Sequence, residues 1–255
     1  MATRENPLTS PAANRRVPKI SEIVASELRQ KILRGKIKAG EPLSPESVLV
    51  GEYNVSRPSL REALRLLESQ GLVAIRRGSH RGPLAATPDL KQVVDMFTMH
   101  LQLRKATVAD VYQFRMLVEP QAARIAAEKA SQADIEVLKS LLAEEKDAIE
   151  SGSHFTEIAW RFHTELMRLS GNITMTLIAE MLETVSARHA SAMLTGWEDQ
   201  QDQRDRAYRA HRRMLGHIER GEADKAEQFW AKHMAEVGKR LLSNREDLSI
   251  IELLD

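Results

Sequence analysis

Val55 to Gly71 reads VSRPSLREALRLLESQG, and this stretch sets the reading of everything around it. Ser56 is a good N-cap, and Pro58 falls in the first turn, where a missing N–H is tolerated. Gly71 stands where a helix needs a left-handed stop. Between them Leu60, Ala63, Leu64 and Leu67 recur at helical spacing and form one apolar face. Arg57, Arg61 and Arg65, four residues apart, form a separate basic stripe. One side of the helix is thus fit for burial while the other carries guanidinium forks, which suit phosphate oxygens and guanine O6/N7 alike. Taken alone, a surface helix with solvated arginines explains the same residues.

The neighbours change that balance. Upstream, Ser44 to Asn54 reads as a short helix joined through the turn at Asn54-Val55. Downstream, LVAIRRGSHRGPLA reads as a strand, a basic Gly-containing turn and a second short strand. Helix, turn, helix and basic hairpin is the order of a winged helix-turn-helix DNA-binding module. LRQKILRGKIKAGEPL, VSRPSLREALRLLESQGLV and the RRGS turn occur in that order within Ile20 to Ala85. In these segments the chain resembles the DNA-binding domain of GntR-type bacterial transcription regulators. The resemblance implies that Ser56, Arg57, Pro58, Ser59 and Arg61 lie against base edges or phosphates of double-stranded DNA, with Arg77 and Gly78 in the wing. Where the family often carries an Arg on the preceding helix, this chain has Ser47.

Composition bounds the rest. The 255 residues are 42% hydrophobic but only 4% aromatic, so cores must be built from Leu, Ile, Val, Ala and Met, a helix-favouring set. There is no Cys, hence no disulfide and no thiolate chemistry. No apolar run is long enough for a spanning helix, and the N-terminus lacks a signal-peptide core, so a cytoplasmic protein without membrane contact is expected. The net charge of +1 hides a division. Residues 1–88 hold 15 of the 37 basic and 8 of the 36 acidic residues, leaving 22 and 28 for the remainder. A basic first part on an acidic second part fits polyanion binding by the first alone.

The expected organisation is a disordered tail over 1–18, the winged helix-turn-helix over 19–86, a linker at 87–89, an all-helical domain over 90–245 and a tail over 246–255. Ile20, Ile23, Val24, Leu28 and Ile32 are expected to face inward on the first helix. From Leu90 every segment reads as helix, punctuated by Gly152, Gly171, Gly196 and Gly221, with short loops that imply antiparallel neighbours. The fold class is mainly α: a winged helix-turn-helix followed by an antiparallel helical bundle. DVYQFRMLVEPQAARIAAEKAS, FHTELMRLSGN and HRRMLGHIERGEADKAEQFWAKH resemble, in order, parts of the FCD ligand-binding domain of the FadR branch of the same family.

Eight histidines raise the question of a metal. His163, His211 and His233 each share a helix face with apolar residues, and for any one of them an inner imidazole with a hydrogen bond and no metal is the ordinary explanation. His211 and His233 lie 10 and 12 residues either side of Gly221, so an antiparallel hairpin bent there sets them side by side. The resemblance places all three where the family has its metal-ligating histidines, implying a Zn or Ni site. It also implies an Asp four residues before the first of them, where this chain has Ala159. Weak binding, a water-completed site and no metal all stay open. His154, His189 and His217 match no ligand position and read as structural or surface residues.

Arg115 is the matched helix arginine. An inward Arg needs a partner, either the carboxylate of a small effector or a neighbouring acid such as Glu119. Asn172, after Ser170-Gly171, is a second effector-binding candidate, or else a turn or helix cap. Together with these features, the resemblance implies a homodimeric regulator that reads a pseudo-palindromic operator, a repressor released by a small carboxylate or sugar acid. A regulator whose metal-free bundle dimerises or senses an acyl ligand is the alternative. A metal-dependent enzyme is less well supported, because no HExxH, nucleophile elbow or P-loop is present.

Overall fold

The computed structural model describes residues 16–75, 82–151, 155–194 and 200–242. The chain divides into two compact units, Met1–Asp89 and Leu90–Asp255.

In the first unit, α1 (Ile20–Leu33), α2 (Glu46–Tyr53) and α3 (Arg57–Ser69) are followed by the strands β1 (Val73–Ala74) and β2 (Leu84–Ala85). Asn54 closes α2 in the left-handed region at φ 49° and turns the chain into α3. Ser56 caps α3, its hydroxyl accepting from the Ser59 amide at 3.3 Å, and Pro58 sits in the first turn. Gly71, at φ 70°, takes the chain out of the helix and into β1. The strands pair antiparallel, Val73 with Ala85 and Ala74 with Leu84. Leu60, Ala63, Leu64 and Leu67 of α3 pack on Val24, Ala25 and Leu28 of α1 and on Leu49 of α2, all buried.

One expectation about α1 needs correction. Ile20 and Ile23 are 49% and 41% exposed, and the inner face consists of Ser21, Val24, Ala25 and Leu28. That set follows the i, i+3, i+4, i+7 stripe, which Ile20 and Ile23 flank one position off. The small side chains of Ser21 and Ala25 fit where α1 packs against α3. The wing turn with Arg77, Gly78 and His80, most of the N-terminal tail and the tail 246–255 lie outside the described residues, as does His154.

The second unit holds α4 (Leu90–Leu103), α5 (Val108–Lys129), α6 (Gln132–Ser151), α7 (Phe155–Leu169), α8 (Ile173–Leu194), α9 (Gln200–Glu219) and α10 (Ala223–Leu242). Local chemistry starts several of them. Thr107 and Asp110 form a reciprocal capping box on α5. Ser131 and Asp134 exchange the same kind of bonds at the start of α6. Gly221, at φ 65°, makes the tight bend between α9 and α10. The core joins Ala123, Ala126, Leu138, Phe162, Leu166, Met214, Trp230 and Met234, each fully buried. Alanines on α5 admit the bulk of Trp230 and Met234 from α10, its most extensive packing partner. Among the described residues no helix is long and apolar enough to cross a membrane.

Candidate functional site

Three histidines meet in the middle of the second unit. His163 comes from α7, His211 from α9 and His233 from α10. The bend at Gly221 runs α9 and α10 back along one another, which sets the rings of His211 and His233 5.7 Å apart. The His163 ring lies 5.1 Å from His211 and 6.0 Å from His233. His211 is stacked flat on Phe162 at 4.4 Å, which fixes its plane. One nitrogen from each ring lies within 4.8 Å of the others.

Two buried carboxylates hold these rings from behind. Glu119 of α5 accepts from His163 Nδ1 at 2.6 Å and from Trp230 Nε1 at 2.9 Å on one oxygen, and from Arg115 Nε at 2.6 Å on the other. Glu145 of α6 accepts from His211 Nδ1 at 2.6 Å. A carboxylate can only accept, so it fixes the proton on Nδ1 and leaves Nε2 with its lone pair, the form in which imidazole ligates a metal. Although burial pushes Glu119 up, the adjacent Arg115 and His163 more than offset this and hold its carboxyl well below the usual carboxylate range. Burial pushes His163 down to about 4 and His233 down to about 2. Both rings are therefore neutral near pH 7. Buried His233 Nε2 has no hydrogen-bond partner.

The sequence points to Glu119 only as an alternative partner for Arg115, and no sequence motif singles out Glu145. Glu145 carries a readable signal, because it continues the buried stripe of Leu138, Leu141 and Leu142 on α6. An acid on such a stripe must have a buried partner.

Of the two partners that the sequence left open for Arg115, the structure supplies the neighbouring acid Glu119. The Arg115 Nε is paired with Glu119, and its guanidinium lies 3.8 Å over the ring of Trp160 and 4.9 Å from that of Tyr112. Its Nη2 is buried without a hydrogen-bond partner. Arg115, Ala159, His163, His211 and His233 all line one cavity of about 640 Å³. Its outer wall is basic, with Arg206, Arg213, Lys225 and Lys232 against Glu236. Asn172 does not belong to it. The Asn172 side chain accepts from the amides of Thr174 and Met175 at 3.1 and 3.2 Å and so caps α8 from an exposed position. The expected effector contact there is corrected to a helix cap.

On α3 of the first unit, Arg57, Arg61 and Arg65 are exposed on the side away from the core. Arg61 Nε reaches Glu46 Oε2 of α2 at 3.2 Å, which aims that side chain across the turn. The Ser56 and Ser59 hydroxyls are 2.9 Å apart and share one hydrogen bond. Ser47 is exposed on α2.

Comparison with known proteins matches both units. Residues 20–80 match the family described as bacterial regulatory proteins, gntR family, and residues 110–236 match the FCD domain. The HTH-type transcriptional repressor NanR of Edwardsiella tarda is 32% identical over 245 residues, covering 90% of this chain and 91% of that protein. The chain belongs to the GntR family. The NanR repressor of Cronobacter sakazakii is 31% identical, with 86% of this chain and 84% of that one covered. A solved GntR structure from Streptococcus agalactiae superposes with a TM-score of 0.60 over 86% of this chain and 99% of that one. At 22% identity that likeness speaks for the fold. The GntR-family chain is thus a ligand-responsive, DNA-binding transcription regulator, with its DNA-binding helices in the first unit and an FCD domain in the second.

Proposed function

We propose that this GntR-family chain is a homodimeric repressor that leaves its operator when a small carboxylate or sugar acid enters the FCD cavity. The observation that carries the reading is the convergence of three imidazoles and the unsatisfied Arg115 Nη2 on one cavity. A carboxylate offers acceptors for the guanidinium N–H and for a cation held by the rings. That the NanR relatives are transcriptional repressors supports repression as the sign.

The donor set fits a borderline divalent ion such as Zn or Ni. Such an ion would sit on His163, His211 and His233, where its chemistry would be to attract an acidic oxygen of the effector. A tetrahedral ion with bonds of about 2.1 Å needs nitrogens on the order of 3.4 Å apart, so a modest inward movement of the rings suffices. Ala159 on the cavity wall brings a methyl group and no charge to the site. Glu119 and Glu145 supply negative charge one layer out, through the rings themselves. Ala159 also favours a second reading, in which the neutral imidazoles and Arg115 bind the carboxylate without a metal.

On the DNA side, Arg57 and Arg61 reach base edges in the major groove. Ser56, Pro58 and Ser59 sit against the backbone or base edges, and Arg77 with Gly78 extends the contact through the wing. One winged helix reads few base pairs, so a dimer on a pseudo-palindromic operator supplies the specificity. Sedimentation should give a dimer, and a monomer both free and on DNA would contradict this. The protein acts by binding in the cytoplasm, and no turnover of candidate acids is expected with or without metal.

The effector can shift operator affinity only through unequal affinity for two dimer arrangements. Typical couplings of about 1–3 kcal/mol correspond to roughly 5- to 150-fold. The test is anisotropy of a labelled operator, selected from random duplexes, titrated with a panel of small sugar acids and dicarboxylates. At least one acid should weaken the complex within that range, and Arg115→Ala or His211→Ala should abolish the response. If both variants respond like the unchanged protein, the cavity is not the sensor.

A further inference from the structure

The cavity extends beyond the three imidazoles. Its outer part runs between α9 and α10, where Arg213 and His217 stand four residues apart on one helix. Counted from the bend at Gly221, Lys225 faces His217 and Phe229 faces Arg213, with Lys232 one turn further along α10 on the same cavity lining. His217 is not one of the converging ligands, and its side chain is only 9% exposed. Its ring lies 5.6 Å from that of Phe229. Its Nδ1 is 2.8 Å from Glu222 Oε2, while its Nε2 is buried with no hydrogen-bond partner. Glu222 also accepts from Arg220 Nε at 3.0 Å and from Lys225 Nζ at 2.7 Å. Three donors therefore share the acid of this cluster. Two cations are left over: Arg213 lies over Phe229 at 4.7 Å, and neither it nor Lys232 makes an ion pair among the described residues, with Glu236 the one acid on the same cavity lining.

We infer that this outer part is a second oxyanion subsite, built for a phosphate or carboxylate group held by His217, Arg213 and Lys232. With Nδ1–H given to Glu222, the ring gains an N–H at Nε2 only as a cation, and an oxyanion placed there stabilises that cation from the opposite side to Glu222. Phe229 lies beneath the Arg213 guanidinium, whose planar fork suits an oxyanion. The subsite deepens the proposed function and rests on it for the ligand at the inner end. His211 and His217 are six residues apart on α9, an axial rise of about 9 Å. A sugar acid with a second acidic group at its far end spans that length.

The probe is inorganic phosphate, titrated into the full-length chain by calorimetry. One phosphate per chain should bind in the millimolar range or tighter. His217→Gln and Lys232→Ala should each weaken it by about tenfold, the loss expected of a hydrogen bond to a charged group. Arg115→Lys, which keeps a cation beside Glu119 and so spares the core, should leave it in place. Lys232 is exposed, so Lys232→Ala keeps the test informative even where His217→Gln disturbs packing. A comparison of gluconate with 6-phosphogluconate then separates the sources of the oxyanion. If the group belongs to the effector, 6-phosphogluconate binds at least about tenfold tighter, and Lys232→Ala removes that advantage. If the oxyanion is a separate ion, the two acids bind alike, and added phosphate tightens gluconate. Absence of phosphate binding in the millimolar range overturns the inference, as does binding that Arg115→Lys removes and Lys232→Ala does not. Loss of the acid response in Arg115→Ala alongside phosphate binding intact in Arg115→Lys keeps the two sites distinct. An acid response that survives Arg115→Ala overturns the proposed function and leaves the phosphate subsite standing.

Discussion

Arg61 and Arg115 are the same residue type on two helices, each paired with one glutamate, and they show how differently the two units carry function. Arg61 is exposed, and its Glu46 partner lies in water on the neighbouring helix. Arg115 and Glu119 are 5% and 3% exposed and lie inside the core of the second unit. An exposed pair contributes little to stability, because solvent screens it. A buried one leaves an uncompensated charge when either partner is removed. The first unit therefore presents its chemistry on a scaffold that does not depend on it, whereas the second uses the same side chains as core and as site.

The largest effect expected from this contrast is at Glu119, which is bonded to Arg115, His163 and Trp230. Glu119→Ala should lower unfolding stability by about 3–5 kcal/mol in denaturant titration. Arg57→Ala should stay within about 0.5 kcal/mol of the unchanged protein. Comparable losses for the two would erase the distinction.

Acid should act next, and on the second unit. His163 and His233 take up protons at an ordinary histidine pKa when unfolded, but only near 4 and 2 when folded. The unfolded chain binds more protons in that window, so stability of chelated protein should fall as pH drops from about 6.5 towards 4. His233→Gln should flatten that fall in thermal melts across the range.

On the operator the order reverses. Arg57→Ala and Arg61→Ala should each cost about 1–3 kcal/mol of affinity where they make a bidentate base contact. The melting temperature should stay nearly unchanged. Undiminished binding by the double variant would remove α3 from the interface.

The smallest effects are at the caps. Ser56→Ala should cost about 1 kcal/mol of stability through the lost bond to the Ser59 amide. Asn172→Ala should cost a similar amount and leave the acid response untouched, since its side chain caps α8. A changed response in that variant would reopen the cavity's membership.

How much of this was legible in the sequence depended on the range of the interaction concerned. Ser56, Pro58, Leu60, Leu64 and Gly71 act within one or two turns of themselves, so α3 and its buried face followed from spacing. The pairing of His211 with His233 followed from their distances to Gly221, a local bend. His163 entered only through family resemblance. Glu145 is 66 residues from His211, and nothing in local sequence names that partner, although an acid on an apolar stripe demands one. Asn172 carried two readings, an effector contact and a cap, and the local one holds, since its amide partners lie two and three residues away. Ile20 and Ile23 were misplaced because hydrophobicity was weighed above the inward stripe, which here runs through Ser21 and Ala25.

Zinc titration of metal-stripped protein by calorimetry, with Ala159→Asp and His211→Ala alongside, decides whether the three imidazoles share one ion. One zinc per chain is expected, bound more tightly in Ala159→Asp, where a carboxylate joins the three rings, and lost in His211→Ala. Zinc binding that neither substitution alters would contradict the convergence of His163, His211 and His233 on a metal.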